Sequence, residues 1–198
     1  SDLPVIALLP GSRKQEIAGC LPTMLEAVKK HPNHQVVVSG APGIEPDFYR
    51  TFIKHTEINV VFNQTYELLT HARAAVVNSG TATLETALIG TPQVVVYKVA
   101  FPVLAMPLKK LFIKVNFVSL VNLIAGKEVV KELIGDLFTV ENIRKELNRL
   151  LHAEKYRNGM LNDYREIKEK LGPSGAARKA AEEMQKSLKA QIEKNTSP

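Results

Sequence analysis

Two short segments combine residue types that hold anions. Pro10-Gly11-Ser12-Arg13 follows the apolar run Val5–Leu9. Its glycine lets the backbone approach a ligand, Ser12 offers a hydroxyl, and Arg13 offers a planar fork matched to phosphate oxygens. Asn78-Ser79-Gly80-Thr81-Ala82-Thr83 follows a second apolar run, Ala74–Val77, and opens a helical pattern. The unpaired amides of a first helical turn, the positive end of the helix dipole and the hydroxyls of Ser79, Thr81 and Thr83 make an anion site. Glu85 lies further along the same helix, where a carboxylate accepts two hydrogen bonds from a ribose-like diol. Plainer explanations stand beside these. Ser79 or Thr81 serves as a helix N-cap, Gly80 as a turn residue, Glu85 as a surface acid and Arg13 as a solvated turn arginine. The placement of both segments at expected strand ends favours the anion reading.

Other chemistries fit less well. The chain has no GxxxxGK[ST] or GxGxxG segment, which disfavours a P-loop ATPase or an ordinary dinucleotide dehydrogenase. Ser79 lacks the GxSxG elbow of a serine hydrolase. His31, His34, His55, His71 and His152 show no metal-ligand spacing and read as solvated surface positions. No metal site is expected.

The elements that must position these segments follow from the hydropathy pattern. Strand-like runs recur at Val5–Leu9, Gln35–Ser39, Asn59–Phe62, Ala74–Val77 and Gln93–Tyr97, separated by helix-favouring stretches. Ile17, Leu21, Met24, Leu25 and Val28 keep helical spacing up to the stop at Lys29-Lys30-His31-Pro32. Glu45–Lys54, Tyr66–Ala72 and Ala82–Leu88 supply further helices. The alternation predicts an α/β fold, a Rossmann-like parallel sheet with helices on both faces. In such sheets ligands sit beyond the carboxyl ends of the strands, where both anion segments fall. Val118–Gly126 reads as a buried strand and turn, and its Asn122 as a helix cap or a ligand contact, capping being the more economical. Val140–Leu151, Ala153–Leu171 and Ser174–Lys189 read as closing helices. The last carries an alanine stripe suited to packing on another domain or subunit.

Length and composition bound the function. At 198 residues, one α/β domain with a helical extension is expected: residues 1–171 as the binding domain and 172–198 as the C-terminal helix. No secretory leader is recognisable, and the abrupt entry into the first strand suggests that the protein continues upstream. The single cysteine, Cys20, suits a reducing compartment. A net charge of +6 favours an anionic partner. Nucleic acid is disfavoured because the basic residues are dispersed and not interleaved with exposed aromatics. Phe101–Phe112 interleaves apolar residues with Lys109 and Lys110, which fits an anionic membrane surface as well as a core helix with solvated lysines.

Three segments, Ile6–Ile17 (IALLPGSRKQEI), Val76–Lys98 (VVNSGTATLETALIGTPQVVVYK) and Val118–Leu133 (VSLVNLIAGKEVVKEL), together resemble lipid-A-disaccharide synthases, glycosyltransferases of the two-domain GT-B architecture. The resemblance runs in order over nearly the whole chain and matches the C-terminal, nucleotide-holding half. It implies transfer of diacylglucosamine from its UDP derivative to 2,3-diacylglucosamine 1-phosphate, giving lipid A disaccharide 1-phosphate and UDP, with no cofactor. The donor-binding set it implies is Gly11, Ser12, Arg13, Ser79, Gly80, Thr81, Ala82, Thr83, Glu85 and, through the family's SLxN segment, Asn122. Many relatives have proline at the position of Val121, which bears on the aim of Asn122. Arg13 would also stabilise the leaving group. The general base is expected in the N-terminal domain, so the chain by itself should bind UDP and turn over little. Partners implied are UDP, UDP-linked acylated glucosamine, the enzyme's N-terminal domain and an anionic membrane surface. The expected location is the cytoplasm, peripheral at the inner face of the inner membrane of a Gram-negative cell. Alternatives are another GT-B UDP-sugar enzyme, an epimerase or peptidoglycan-type transferase, or a non-catalytic basic membrane-binding module.

Overall fold

Apolar runs that do not alternate with polar residues need cover on both sides, and a parallel sheet between two helical layers provides it. In the computed structural model, residues 3–54, 56–98 and 117–172 are described. β1 (Val5–Leu9), α1 (Lys14–Val28), β2 (Gln35–Gly40), α2 (Pro46–Ile53), β3 (Asn59–Phe62), α3 (Thr65–His71), β4 (Ala72–Asn78), α4 (Thr81–Ile89) and β5 (Gln93–Tyr97) alternate along the chain. They are followed by α5 (Leu120–Ala125), β6 (Lys131–Ile134), a 3-10 turn at Gly135–Leu137, α6 (Val140–His152) and α7 (Glu154–Leu171). The six strands pair in parallel in the order β3-β2-β1-β4-β5-β6. This is the expected Rossmann-like sheet.

The two faces bury different residues of the same strands, as the two-residue period of a strand requires. Ile6, Leu8, Val38, Ala74 and Val76 join Leu21 and Met24 of α1, Leu147 and Leu150 of α6, and Met160 and Ile167 of α7 in one core. Ala7, Leu9, Val37, Ala75 and Val77 pack with Leu68 and Leu69 of α3 in the other. Ile6, Ala7 and Leu8 are fully buried, so β1 lies at the centre of both layers. Strand order reverses between β1 and β4: the chain builds β2 and β3 on one side and β5 and β6 on the other. The loops leaving β1 and β4 therefore diverge and open a crevice at the carboxyl edge.

Several expectations need correction. Val118–Gly126 forms helix α5 in place of a strand. Ser119 caps it by accepting the Asn122 amide at 3.3 Å, and Gly126, at φ 72°, ends it in the left-handed conformation. Asn122 is thus not the cap. The short parallel strand β6 was not anticipated. His31 is buried at 8% exposure, and its ring lies edge-on to His34, so it is not a solvated surface position. Among the described residues, the sheet lies within one compact unit that extends to Ile167. His55, the basic apolar segment Phe101–Phe112 and the expected last helix lie outside the described residues.

Candidate functional site

β1 and β4 run side by side, with Leu9 opposite Val77, and their following loops form one wall of a cleft of about 890 Å³. Gly11 adopts φ +119°, and a Cβ there would come within 2.6 Å of Glu16 Oε2 and 2.9 Å of Asn78 Nδ2. Glycine is required by both conformation and space. Beyond it, Glu16 ties the loop down: its Oε2 accepts the Ser12 amide at 3.0 Å and the Arg13 amide at 3.3 Å. Its Oε1 accepts the Arg13 guanidinium at 3.3 Å. Arg13 occupies the N-cap position of α1, and its side chain, 82% exposed, is free to reach into the cleft. Glu16 was not singled out from sequence. An acid three residues after a helix start was the available signal.

The β4 loop is anchored where the Ser79 amide donates to the Val96 carbonyl at 2.8 Å. Gly80 is the N-cap of α4 and no side chain caps the helix there. A Cβ at Gly80 would meet nothing within 4 Å, so the space before the first turn is open. An uncapped N-terminus facing an open cleft combines free amides with the positive end of the dipole. Thr81, Ala82 and Glu85 line the cleft together, because residues three and four apart share a helix face. Thr83 does not join them. It is fully buried, and its hydroxyl donates to the Gly80 carbonyl at 2.8 Å.

The opposite wall was not foreseen. It comes from the end of β2, Ser39–Pro42, and from the turn between β3 and α3, Asn63–Glu67. Ser39 Oγ and Thr65 Oγ1 lie 2.7 Å apart and join the two segments. Asn63 holds φ 58°, and the exposed ring of Tyr66 stands at the lip. Buried Tyr49 accepts the Ala41 amide at 2.8 Å and fixes the β2 loop from below. Beneath the cleft, Asn78 Oδ1 accepts the Cys20 thiol at 3.4 Å, and burial pushes that thiol's pKa up.

Asn122 does not line the cleft. Its side chain is fully buried and makes four hydrogen bonds. Oδ1 accepts the amides of Val129 and Val130 at 2.8 and 2.9 Å, while Nδ2 donates to the Val130 carbonyl at 2.9 Å and to Glu132 at 2.8 Å. Of the residues expected to bind a donor, Gly11, Ser12, Arg13, Ser79, Gly80, Thr81, Ala82 and Glu85 converge on the cleft, and Thr83 and Asn122 do not.

Comparison with known proteins places this fold. Solved structures with the same fold include the UDP-GlcNAc 2-epimerase of Neisseria meningitidis bound to UDP-GlcNAc, at TM-score 0.60 and 19% identity over 93% of this chain and 45% of that one. The calicheamicin glycosyltransferase CalG4 matches at TM-score 0.57 and 21% identity over 91% of this chain and 42% of that one. These likenesses establish the fold, the Rossmann-like half of the GT-B architecture. At the level of sequence, lipid-A-disaccharide synthase of Myxococcus xanthus is 41% identical over 91% of this chain and 48% of its own length. That of Coxiella burnetii is 36% identical over 91% and 48%. The chain therefore spans about half the length of the curated relatives it matches. The family model for lipid-A-disaccharide synthetase matches residues 1–187, and the chain belongs to that family.

Proposed function

We propose that the cleft holds the diphosphate of a UDP-linked acylated glucosamine, and that the chain is the donor-binding half of a lipid-A-disaccharide synthase. The observation that carries this is the pairing of an uncapped α4 N-terminus with Arg13 side by side on one wall of the cleft, the arginine on a loop that Glu16 holds in shape. In this reading the amides of Thr81 and Ala82 receive one phosphate and Arg13 the other. Glu85, on the same helix face as Thr81, takes the ribose hydroxyls. The second wall offers the Tyr66 ring to the base.

The chemistry follows from the charge. Transfer of the sugar leaves a growing negative charge on the departing diphosphate, and donors already fixed in place stabilise it without reorganising. The acceptor hydroxyl also needs a base. Its place is expected in the acceptor-binding half of the enzyme, so the 198 residues by themselves bind UDP with little turnover. Both substrates of the complete reaction are lipids, which favours work at the cytoplasmic face of a membrane. No described helix is long and apolar enough to cross one.

The test is thermal stabilisation of the purified chain by UDP against ADP, GDP and inorganic phosphate. A ligand at about a hundred times its Kd stabilises the native state by about 2.7 kcal/mol. UDP should stabilise most, and an Arg13→Ala, Glu85→Ala double variant should lose the effect. No preference for UDP, or an undiminished response in the double variant, overturns the assignment.

A further inference from the structure

At the end of the sheet opposite the cleft, where the strands begin, three imidazoles and three guanidiniums gather. His31 and His34 bracket the turn between α1 and β2, with ring centroids 6.0 Å apart. His152, the last residue of α6, lies 6.5 Å from His34. Arg144 of α6 acts electrostatically on His31, and Arg73 acts on both His34 and Arg157 of α7. Arg73 reaches this place through a break in register. Val5 pairs with Ala72 and Ile6 with Ala74, leaving the exposed Arg73 out of the ladder.

Two observations point to an anionic partner for this cluster. Five buried side-chain polar atoms among the described residues have no hydrogen-bond partner, and four of them lie here: His31 Nε2, His34 Nδ1, Arg144 Nε and Arg157 Nε. Buried polar groups normally find partners, so this concentration points to an acceptor shared by several of them. The charge balance agrees. The acids in reach are Glu141, paired with Arg144 at 3.2 Å, Glu154, which acts on Arg157, and Glu26, which feels Arg144. Among the described residues none makes an ion pair with Arg73, Arg157 or an imidazole.

A metal cation is the rival occupant, since three imidazoles are familiar zinc ligands. Three neighbouring guanidiniums would repel it, and no described His/Cys/Asp/Glu group has a metal-holding arrangement. An oxyanion reverses each of these terms. Guanidinium forks and imidazole N–H donors both suit phosphate. We propose that the His31, His34, His152, Arg73, Arg144 and Arg157 cluster binds a phosphate group, supplied either as free phosphate or as the phosphomonoester headgroup of an anionic lipid.

The test follows the ring resonances of His31, His34 and His152 in the full chain while inorganic phosphate is added, against chloride at matched ionic strength. These probes are local and do not depend on what the cleft binds. Phosphate should shift all three saturably, and Arg73→Ala, at an exposed position, should weaken the response about tenfold, the loss of one charge-assisted contact. Arg157→Gln should do the same. A second arm adds vesicles of phosphatidic acid or of phosphatidylcholine. Binding to phosphatidic acid alone, lost in Arg73→Ala, supports the proposal with a lipid as the source. Equal shifts with chloride, a response that survives both variants, or shifts produced by Zn²⁺ and not by phosphate would overturn it.

Discussion

Arg13 and Glu16 form an acid–base pair in front of a proposed diphosphate site, and the sign of Glu16's influence separates two roles. If its charge merely competed for Arg13, removing it would tighten UDP binding. Its carboxylate also holds the Ser12 and Arg13 amides, so we expect the opposite. Losing two such bonds, at about 1 kcal/mol each, should weaken UDP binding about tenfold or more in Glu16→Ala, with much of the loss recovered in Glu16→Gln. Isothermal titration of the two variants decides, and tighter binding in Glu16→Ala would show competition. Gly11→Ala is a sharper disruption. At φ +119° a side chain costs about 1–3 kcal/mol of strain, and here it would also strike Glu16 and Asn78. Both the melting temperature and UDP affinity should fall. The residue types that converge on the cleft were legible because glycine, arginine and an uncapped helix start carry their chemistry locally. Thr83 was misplaced because residues two apart on a helix point about 200° apart, so Thr81 meets the cleft and Thr83 the core. Glu16 was missed because its role is to hold the backbone and shows only once the loop folds back on it.

At the scale of the elements, α5 and β6 are joined by a polar hub. Glu132 of β6 accepts the amides of Val118 and Ser119 at 2.9 Å each, the Ser119 hydroxyl at 2.7 Å and Asn122 Nδ2 at 2.8 Å. Asn122 in turn covers both amides and the carbonyl at the approach to β6. Asn122→Ala would leave several buried groups unpaired, at about 1–3 kcal/mol for each one that water cannot reach. Urea unfolding should show a loss of several kcal/mol, while UDP affinity of the folded fraction stays near that of the parent. A selective loss of UDP binding at unchanged stability would return Asn122 to the ligand. This part of the fold was poorly legible. Nine residues with five of Val, Leu and Ile read equally as strand or helix, and the choice rested on the Ser119 cap and the Gly126 stop. β6 has four residues, two of them charged, and gains its strand conformation from pairing with β5. The two long helices α6 and α7 were legible because their apolar residues keep one face over several turns.

For the whole molecule, the alternation of runs was enough to predict a parallel sheet with a cleft at one end, since both are consequences of chain geometry. The other end was not legible, because His31, His34, His152, Arg73, Arg144 and Arg157 come from four separated stretches that only the sheet brings together. That end sets a pH dependence. Burial, followed by neighbouring positive charge, holds His31 and His34 below the ordinary imidazole value of 6.5, so the folded protein resists protonating them. The unfolded chain does not. Below about pH 6.5 it therefore binds more protons than the native state, and stability is lost as pH falls from the unfolded value through the lowered folded ones. Each histidine contributes a slope of at most about 1.4 kcal/mol per pH unit, less for the partly exposed His34. Glu26, whose pKa is lowered from 4.5, acts at more acid pH and leaves this window clear. Urea midpoints at pH 7.5, 6.5 and 5.5 should decline, and His31→Gln with His34→Gln should flatten the decline. If the cluster takes a phosphate group, added phosphate should flatten it too, because a bound oxyanion offsets the charge that protonation adds. A decline that persists unchanged in the double variant would place its origin elsewhere in the fold.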